Sequence, residues 1–579
     1  MGTGPWTPPL DAGRRPAGAA LLGWLADPRA PRLCLVSGGP GAGKSHLLGW
    51  LLAHGTAPGA PVERRVHAAL PSAGIDVRGA LWLLGSQLGI TARTVPELLA
   101  ALAGDDRRTV ICVPELDRAA DPGRLVAELL DPMLELPHLR LVVEAAPEVA
   151  FANVTAPAVL DLDDPAWTDR GRFEAWCAKE GHDPNGYPSP GRAAGSALPT
   201  PQSAPELIAR VPRGADGALD LAAAGEDLLS DLWLAAARAG DLGPLATDPL
   251  LYALARPTSV TTALAGRTDP LATAWSAVGP ALVDIPDAPG RAHLLRARLL
   301  GTDPAAAARL ADAPSPWAVR WARWEPGAVA AAVQGGHWLV ADRNGTIRRL
   351  AAFDGSMVGV VPVGEPRPLQ AITVTAGGSL VMLDTWSGTE LLAPTSPAPG
   401  LEPFDLDEAL ARLRSAAGPL TALAAEPQLP AAAPAVGDAA GAVHWYEGGE
   451  VRSVPLHTGP VTALAAHALG TGQDAFPLLA SGGYDGAVRL WGPDDDPMPG
   501  PADRRPAPVT ALALASDGSA GLLLATAWSD GLIRVRRLEL PGRPVELRLG
   551  SDVRTLGFAN GALLVGLTDG LLAVDLLPG

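Results

Sequence analysis

The stretch Ser37 to Ser45, SGGPGAGKS, constrains this chain more than any other. It carries the pattern G-x-x-x-x-G-K-S, with Gly38, Gly43, Lys44 and Ser45 in the fixed places. The apolar run Leu33-Cys34-Leu35-Val36 before it reads as a buried parallel strand. After it, Leu47, Leu48, Leu51 and Leu52 are spaced for one helical face, and Gly55 stands where such a helix would stop. Glycines let the backbone take positive φ and bring peptide N–H groups close to an anion. A helix N-terminus adds partial positive charge. The only lysines in the chain are Lys44 and Lys179, so a lysine at this place is not a by-product of composition.

Strand, glycine loop and helix together resemble the P-loop NTPases. The resemblance implies that the loop, Gly38, Gly39, Pro40, Gly41, Ala42, Gly43, Lys44, Ser45 and His46, holds ATP. It implies that Lys44 reaches the β- and γ-phosphates and that Ser45 ligates Mg²⁺. Such domains carry a second motif, an acid after a buried strand. Thr109 to Val113 (TVICV) is that strand, but Pro114 stands in the usual aspartate place, followed by Glu115-Leu116-Asp117-Arg118. Glu115 is the acid best placed to hold the Mg²⁺ shell or polarise a water, and Asp117 is the second candidate. Both acids also suit the start of the following helix as caps. Leu139 to Val143 is a further strand. Alanines follow Glu144, where many signalling NTPases have a phosphate-sensing arginine. Any hydrolysis is therefore expected to be slow, or absent.

Strands alternating with helices over 17–181 predict an α/β, doubly wound parallel sheet. Val62 to Leu70 reads as a strand, Asp76 to Gly89 and Val95 to Ala103 as helices, and Pro165 to Gly181 as a short helical lid. Residues 1–16 are Pro/Gly-rich and expected to be disordered. The run 182–205 reads as a linker or mobile loop. Residues 206–313 are Leu/Ala-rich at helical spacing, as in Leu228, Leu229, Leu232 and Leu234, and predict a helical domain. His293 lies among apolar residues and reads as structural.

From about residue 316 the texture changes to short alternating runs, and a repeat appears. Anchors at Val319, Leu369, Leu420, Val461, Val509 and Val553 recur roughly every 40–50 residues. Each opens an apolar–polar alternation, followed by a tight turn such as Asn-Gly or Asp-Gly and a second strand. The clearest unit runs from His457 to Trp491. This resembles WD40 repeats, and the resemblance implies that His457, Ser481, Asp485 and Trp491 form an internal hydrogen-bond set. No repeat carries the Trp-Asp dipeptide. About six degenerate blades over 316–579 are expected, with a helical insertion at 401–417.

The order of domains resembles the bacterial STAND class of signal-transduction ATPases. That resemblance implies a protein partner on the propeller, control of the nucleotide state and nucleotide-dependent homo-oligomers. A scaffold with a static nucleotide, and a P-loop kinase for a small molecule, are the alternatives. The net charge of −17 disfavours general nucleic-acid binding. Cys34, Cys112 and Cys177 show no metal spacing and no disulfide framework. No apolar run is long enough to span a bilayer, so no membrane association and a cytoplasmic location are expected.

Overall fold

The computed structural model describes residues 13–57, 59–105, 107–146, 149–154, 156–181, 183–185, 202–311, 315–325, 327–363, 367–376, 378–384, 391–392, 406–429, 434–470, 475–516, 521–539 and 542–577. The chain divides into two compact units, 1–288 and 289–579. Among the described residues no helix is long and apolar enough to cross a membrane. Residues 1–12 and 186–201 lie outside the described residues, so the expectations of disorder at the N-terminus and of a mobile loop fall mostly there.

The first unit is built on five parallel strands: β1 (Leu33–Ser37), β2 (Ala68–Ala69), β3 (Thr109–Val113), β4 (Leu139–Glu144) and β5 (Ala158–Asp161). Their order in the sheet is β2-β3-β4-β1-β5. Every residue of β3 and β4 is buried, as expected of strands covered on both faces. Helix α1 (Arg15–Ala26) and helix α2 (Lys44–Gly55) cover the β1 region. Leu21 and Leu25 from α1 and Leu47, Leu48 and Leu51 from α2 pack on Cys34, Val36 and Val142. Burial in this core pushes the Cys34 thiol up to about 12, against the opposing pull of Arg140, and pushes Cys112 up as well. Both are inert core thiols.

Helix α3 (Val77–Leu88) is capped by the Asp76 carboxylate, which accepts from the Gly79 N–H, and it stops at Gly89 in left-handed conformation. Helix α4 (Val95–Ala103) starts from a Thr94 cap with Pro96 in its first turn. The expected strand over 62–70 is corrected. Val62–Arg64 is a short 3-10 turn, and only Ala68 and Ala69 pair with β3. Val62, the first residue of the expected strand, is 77% exposed. The helices expected as a separate domain divide between the units. Pro257–Ala263 and Pro270–Asp284 pack against α3 in the first unit, and Gly279 lies directly on the Trp82 ring. Ala288–Leu299, all but its first residue, and Pro304–Ala308 belong to the second unit.

The second unit begins with β6 (Trp317–Arg323). A first hairpin sheet follows, β7 (Ala330–Gln334), β8 (His337–Ala341), β9 (Ile347–Ala351) and β10 (Met357–Val361). A three-stranded sheet comes next, β11 (Leu369–Val374), β12 (Leu380–Asp384) and β13 (Leu391–Leu392). The third sheet is β14 (Leu420–Ala424), β15 (Ala435–Asp438), β16 (Ala442–Glu447) and β17 (Glu450–Pro455). The fourth is β18 (Val461–Leu469), β19 (Phe476–Gly483), β20 (Ala487–Trp491) and β21 (Asp503–Arg504). The fifth is β22 (Val509–Ser516), β23 (Leu522–Trp528), β24 (Leu532–Arg537) and β25 (Val545–Arg548). The last strands are β26 (Val553–Ala559), β27 (Ala562–Leu567) and β28 (Leu571–Leu576), and β6 joins them as the fourth strand of that sheet.

Among the described residues there are five complete four-stranded antiparallel blades, against the six expected, and the sheet β11–β13 has three strands. Five of the six repeat anchors begin or lie in the first strand of a sheet. Val319 does not: it pairs with Val574, so the first recognised repeat is the outer strand of the last blade. The ring closes by this pairing and by β26 packing on β7. The expected insertion contains the helix Leu406–Ala416, whose Ala409, Leu410 and Leu413 are buried against Val381, Leu383 and Tyr446. Leu300 and Trp324 pack on the blade core beside Trp317. His293 is buried beside the Trp317 ring, the structural place its sequence context predicted.

Candidate functional site

The loop after β1 leaves the carboxyl end of the sheet at the strand where chain order reverses: β4 and β5 flank β1, while β2 and β3 lie beyond β4. In open parallel sheets that crevice is where ligands bind. Gly38 (φ 133), Gly41 (φ 77) and Gly43 (φ 92) take backbone conformations that a side chain strains. At Gly38 a Cβ would also stand 3.0 Å from the Ala42 Cβ. The loop turns through the Ala42 N–H donating to the Gly39 carbonyl at 3.0 Å. It enters α2 at Lys44, and the first helical bond runs from the Leu47 N–H to the Gly43 carbonyl. Pro40, Ser45 and His46 face solvent, while Ala42 is buried.

The Lys44 ammonium lies over the loop and donates to the Gly38 carbonyl at 2.7 Å and the Gly39 carbonyl at 3.4 Å. The Ser45 hydroxyl donates to Glu144 Oε1 at 3.0 Å. Glu144 ends β4 and is 5% exposed. Its other oxygen accepts from the Glu115 N–H at 3.3 Å. Burial pushes the Glu144 carboxyl above the usual range; the Ser45 and Glu115 hydrogen bonds and the charge of Lys44 pull it back.

The two acids singled out from sequence lie at the end of β3, beside this group. Glu115 is in left-handed conformation (φ 55), and its carboxylate pairs with Arg118 at 2.5 Å. Asp117 Oδ1 accepts from the Ala146 N–H at 2.7 Å and so ties the end of β3 to the end of β4. Loop, Ser45, Glu115 and Glu144 are thus brought together, while Asp117 serves the neighbouring backbone.

Two further residues at the loop escaped the sequence reading. Asp163, just past β5, accepts from the Gly39 N–H at 2.6 Å. Arg14 lies in the stretch expected to be disordered, yet it is 3% exposed. Its guanidinium donates to the Ala42 carbonyl at 2.5 Å, the Leu162 carbonyl at 3.0 Å and the Thr168 hydroxyl at 2.8 Å. Burial lowers the Arg14 pKa and Asp163 opposes that shift. No local pattern marks Arg14, because its partners follow β1 and β5.

The set of donors and acceptors suits a nucleotide carrying Mg²⁺. The loop places the Lys44 ammonium beside the N-terminus of α2, and one of its N–H groups, that of Gly39, already holds the Asp163 carboxylate. The Ser45 hydroxyl and the nearby carboxylates are the hard oxygen groups that Mg²⁺ prefers. Among the described residues, no group of three or more His, Cys, Asp or Glu could hold a metal ion by itself. A cation here would have to share its shell with phosphate oxygens, the usual arrangement for Mg²⁺.

The second unit contributes a separate set of polar contacts. His457 Nδ1 meets Asp485 Oδ1 at 3.0 Å and Nε2 meets Ser481 Oγ at 2.9 Å. A carboxylate only accepts, so Nδ1 carries the proton and the Ser481 hydroxyl donates to Nε2. Trp491 does not join this set: its indole N–H donates to the Asp495 carbonyl at 3.1 Å. Gly486 closes the hairpin at φ 72, where a Cβ would stand 1.9 Å from the Arg505 carbonyl oxygen. The preceding blade has a related pair, His444 Nε2 with Asp438 at 3.0 Å and Nδ1 with Ser453 at 2.7 Å. These groups are braces between strands and turns.

Residues 448–492 match the family model described as WD domain, G-beta repeat. The match spans β17 to β20, so the sequence repeat begins on the outer strand of one blade and continues into the next. With the propeller-like arrangement of its sheets, this part of the chain suits protein interaction or regulation. No curated protein matches the chain. Among solved structures, a crystal structure of the computationally designed Ika8 protein is similar over 43% of this chain and 70% of its own. The two are 19% identical, with a TM-score of 0.28.

Proposed function

We propose that the chain is an ATP–Mg²⁺-binding regulatory protein in which the propeller engages a protein partner and controls the nucleotide state. The observation that carries this reading is the loop itself. Three glycines at positive φ lead from the carboxyl end of β1 into the N-terminus of α2, with Lys44 over the turn and Ser45 behind it. The glycine loop, the helix N-terminus and the Lys44 ammonium are the groups that triphosphate recognition uses. Lys44 would contact the β- and γ-phosphates, and Ser45 would ligate the cation. The sheet order, with β4 between β1 and β3, brings the ends of β3 and β4 to the loop.

Turnover is slow or absent in this reading. Pro114 removes the usual acid, and Ala145 and Ala146 follow Glu144 in place of a cationic sensor. Glu115 is the remaining candidate to polarise a water. The STAND-like order of parts supports coupling between nucleotide and partner, with nucleotide-dependent homo-oligomers as the output. A static nucleotide in a scaffold is the second reading, favoured by the same Pro114. Titration calorimetry of ATP–Mg²⁺ against wild type and Lys44→Ala tests the binding step. Equal affinities, or no binding by the wild type, would refute it.

A further inference from the structure

The acid that β3 lacks is supplied from the neighbouring strand. β3 and β4 run parallel with Val113 beside Val143, so the next residues, Pro114 and Glu144, stand at the same level of the sheet. Pro114 has neither a carboxylate nor an N–H. Glu144 also pairs with Val36 on β1 and is therefore one strand nearer the loop than Pro114. Its carboxylate touches the Ser45 hydroxyl at 3.0 Å. Glu115 is engaged by Arg118 and Asp117 by the Ala146 N–H. The buried Glu144 is held from a second side by the Glu115 N–H. Orientation is thus fixed at both oxygens, as a supporting carboxylate requires.

We infer that Glu144 is the positioning carboxylate of this site, acting through the Ser45 hydroxyl to orient the divalent cation carried by the nucleotide in place of the acid displaced by Pro114. The inference rests on the nucleotide reading given above. The role has moved from β3 to β4, and the move keeps one buried carboxylate beside the loop. Glu144 takes the serine proton and leaves the serine oxygen to face the cation; Glu115 is left free of that duty.

The test is the Mg²⁺ dependence of ATP affinity, measured by titration calorimetry as the ratio of Kd in EDTA to Kd in Mg²⁺. In Glu144→Gln that ratio is expected to fall about tenfold or more, the usual effect of removing a supporting acid. Affinity in EDTA should be unchanged or tighter, because a negative charge near the phosphates is gone. Glu128→Gln, at an exposed acid paired with Arg124 away from the loop, should keep the wild-type ratio. Combining Pro114→Asp with Glu144→Gln should restore part of it, since the acid returns to β3. A purely structural role would shift both affinities together. Should Glu144→Gln fail to fold, Glu144→Asp, which keeps the charge and shortens its reach, gives the same ratio test. A wild-type ratio in folded Glu144→Gln would overturn the inference while leaving the nucleotide reading intact. No ATP binding by the wild type would remove both, and that arm alone shows it.

Discussion

Replacing Arg14 by methionine should unfold the first unit well before the second. Arg14→Met keeps much of the side-chain volume and removes three donated hydrogen bonds, to the Ala42 and Leu162 carbonyls and to Thr168. Hydrogen bonds from a charged group are worth about 1.5–3 kcal/mol each. Against that loss stands the cost of keeping a guanidinium at 3% exposure, several kcal/mol that the variant recovers. The net is a destabilisation of about 3 kcal/mol. At roughly 2–4 °C per kcal/mol for units of this size, the transition should fall by about 6–12 °C. Differential scanning calorimetry of the full chain reads this directly. Leu48→Ala, which empties a fully buried position on α2, identifies the transition of the first unit. An unmoved transition in Arg14→Met, with Leu48→Ala moving it, would show that desolvation cancels the three bonds and that Arg14 does not brace the loop.

Lys44→Ala should weaken ATP–Mg²⁺ binding by at least about 2 kcal/mol, the scale of a lost charge-assisted contact, read by calorimetry. Hydrolysis by the wild type should stay below roughly 1 per second, the low end of typical enzymes, and Glu115→Gln should abolish what remains; loss in Asp117→Asn with retention in Glu115→Gln would reverse the choice of acid. Ending the chain at residue 288 should speed release of a fluorescent ADP analogue or promote oligomers with ATP, seen by stopped flow and light scattering; a folded truncation that does neither leaves the scaffold reading. The propeller should lose stability in acid. Burial holds His457 below the ordinary imidazole value, although Asp485 pulls it up, so the unfolded chain takes this proton first and stability falls as pH drops below about 6.5. Burial would raise Asp485, but hydrogen bonds from His457 and from the Ala487 and Thr458 N–H groups hold it lower, which adds a second loss below about 4. A melting temperature of the propeller transition that is flat from pH 7 to pH 5, or a slope unchanged in His457→Gln, would contradict the assignment.

The parts of the site legible in the sequence are the local ones. Glycine at Gly38, Gly41 and Gly43, the apolar run into Ser37 and the helical spacing after Lys44 are all consequences of neighbours in the chain. α4 and β3 lie over the residues expected, because cap, proline and apolar run mark their ends. The role of Glu144 was not legible, since it depends on β4 lying between β1 and β3, which no short stretch encodes. Arg14 was masked by the Pro/Gly-rich surroundings that usually signal disorder. β5 is four residues long with one buried, too little alternation to stand out. The repeat around Val319 had the right pattern and the wrong place: a strand alternates in the same way whether it lines the centre of a ring or its rim.

That rim strand has a consequence for synthesis. β6 ends at Arg323, and its partner β28 begins at Leu571, so the two edges that close the ring leave the ribosome far apart in time. At ~5–20 residues per second the first must wait on the order of ten to fifty seconds for the second. Throughout that interval β6 presents Trp317, Val319 and Trp321, all buried in the finished ring, along an unpaired edge. A nascent chain of this kind invites capture by chaperones, or exchange of β6 between two chains whose synthesis overlaps, until the final blade emerges.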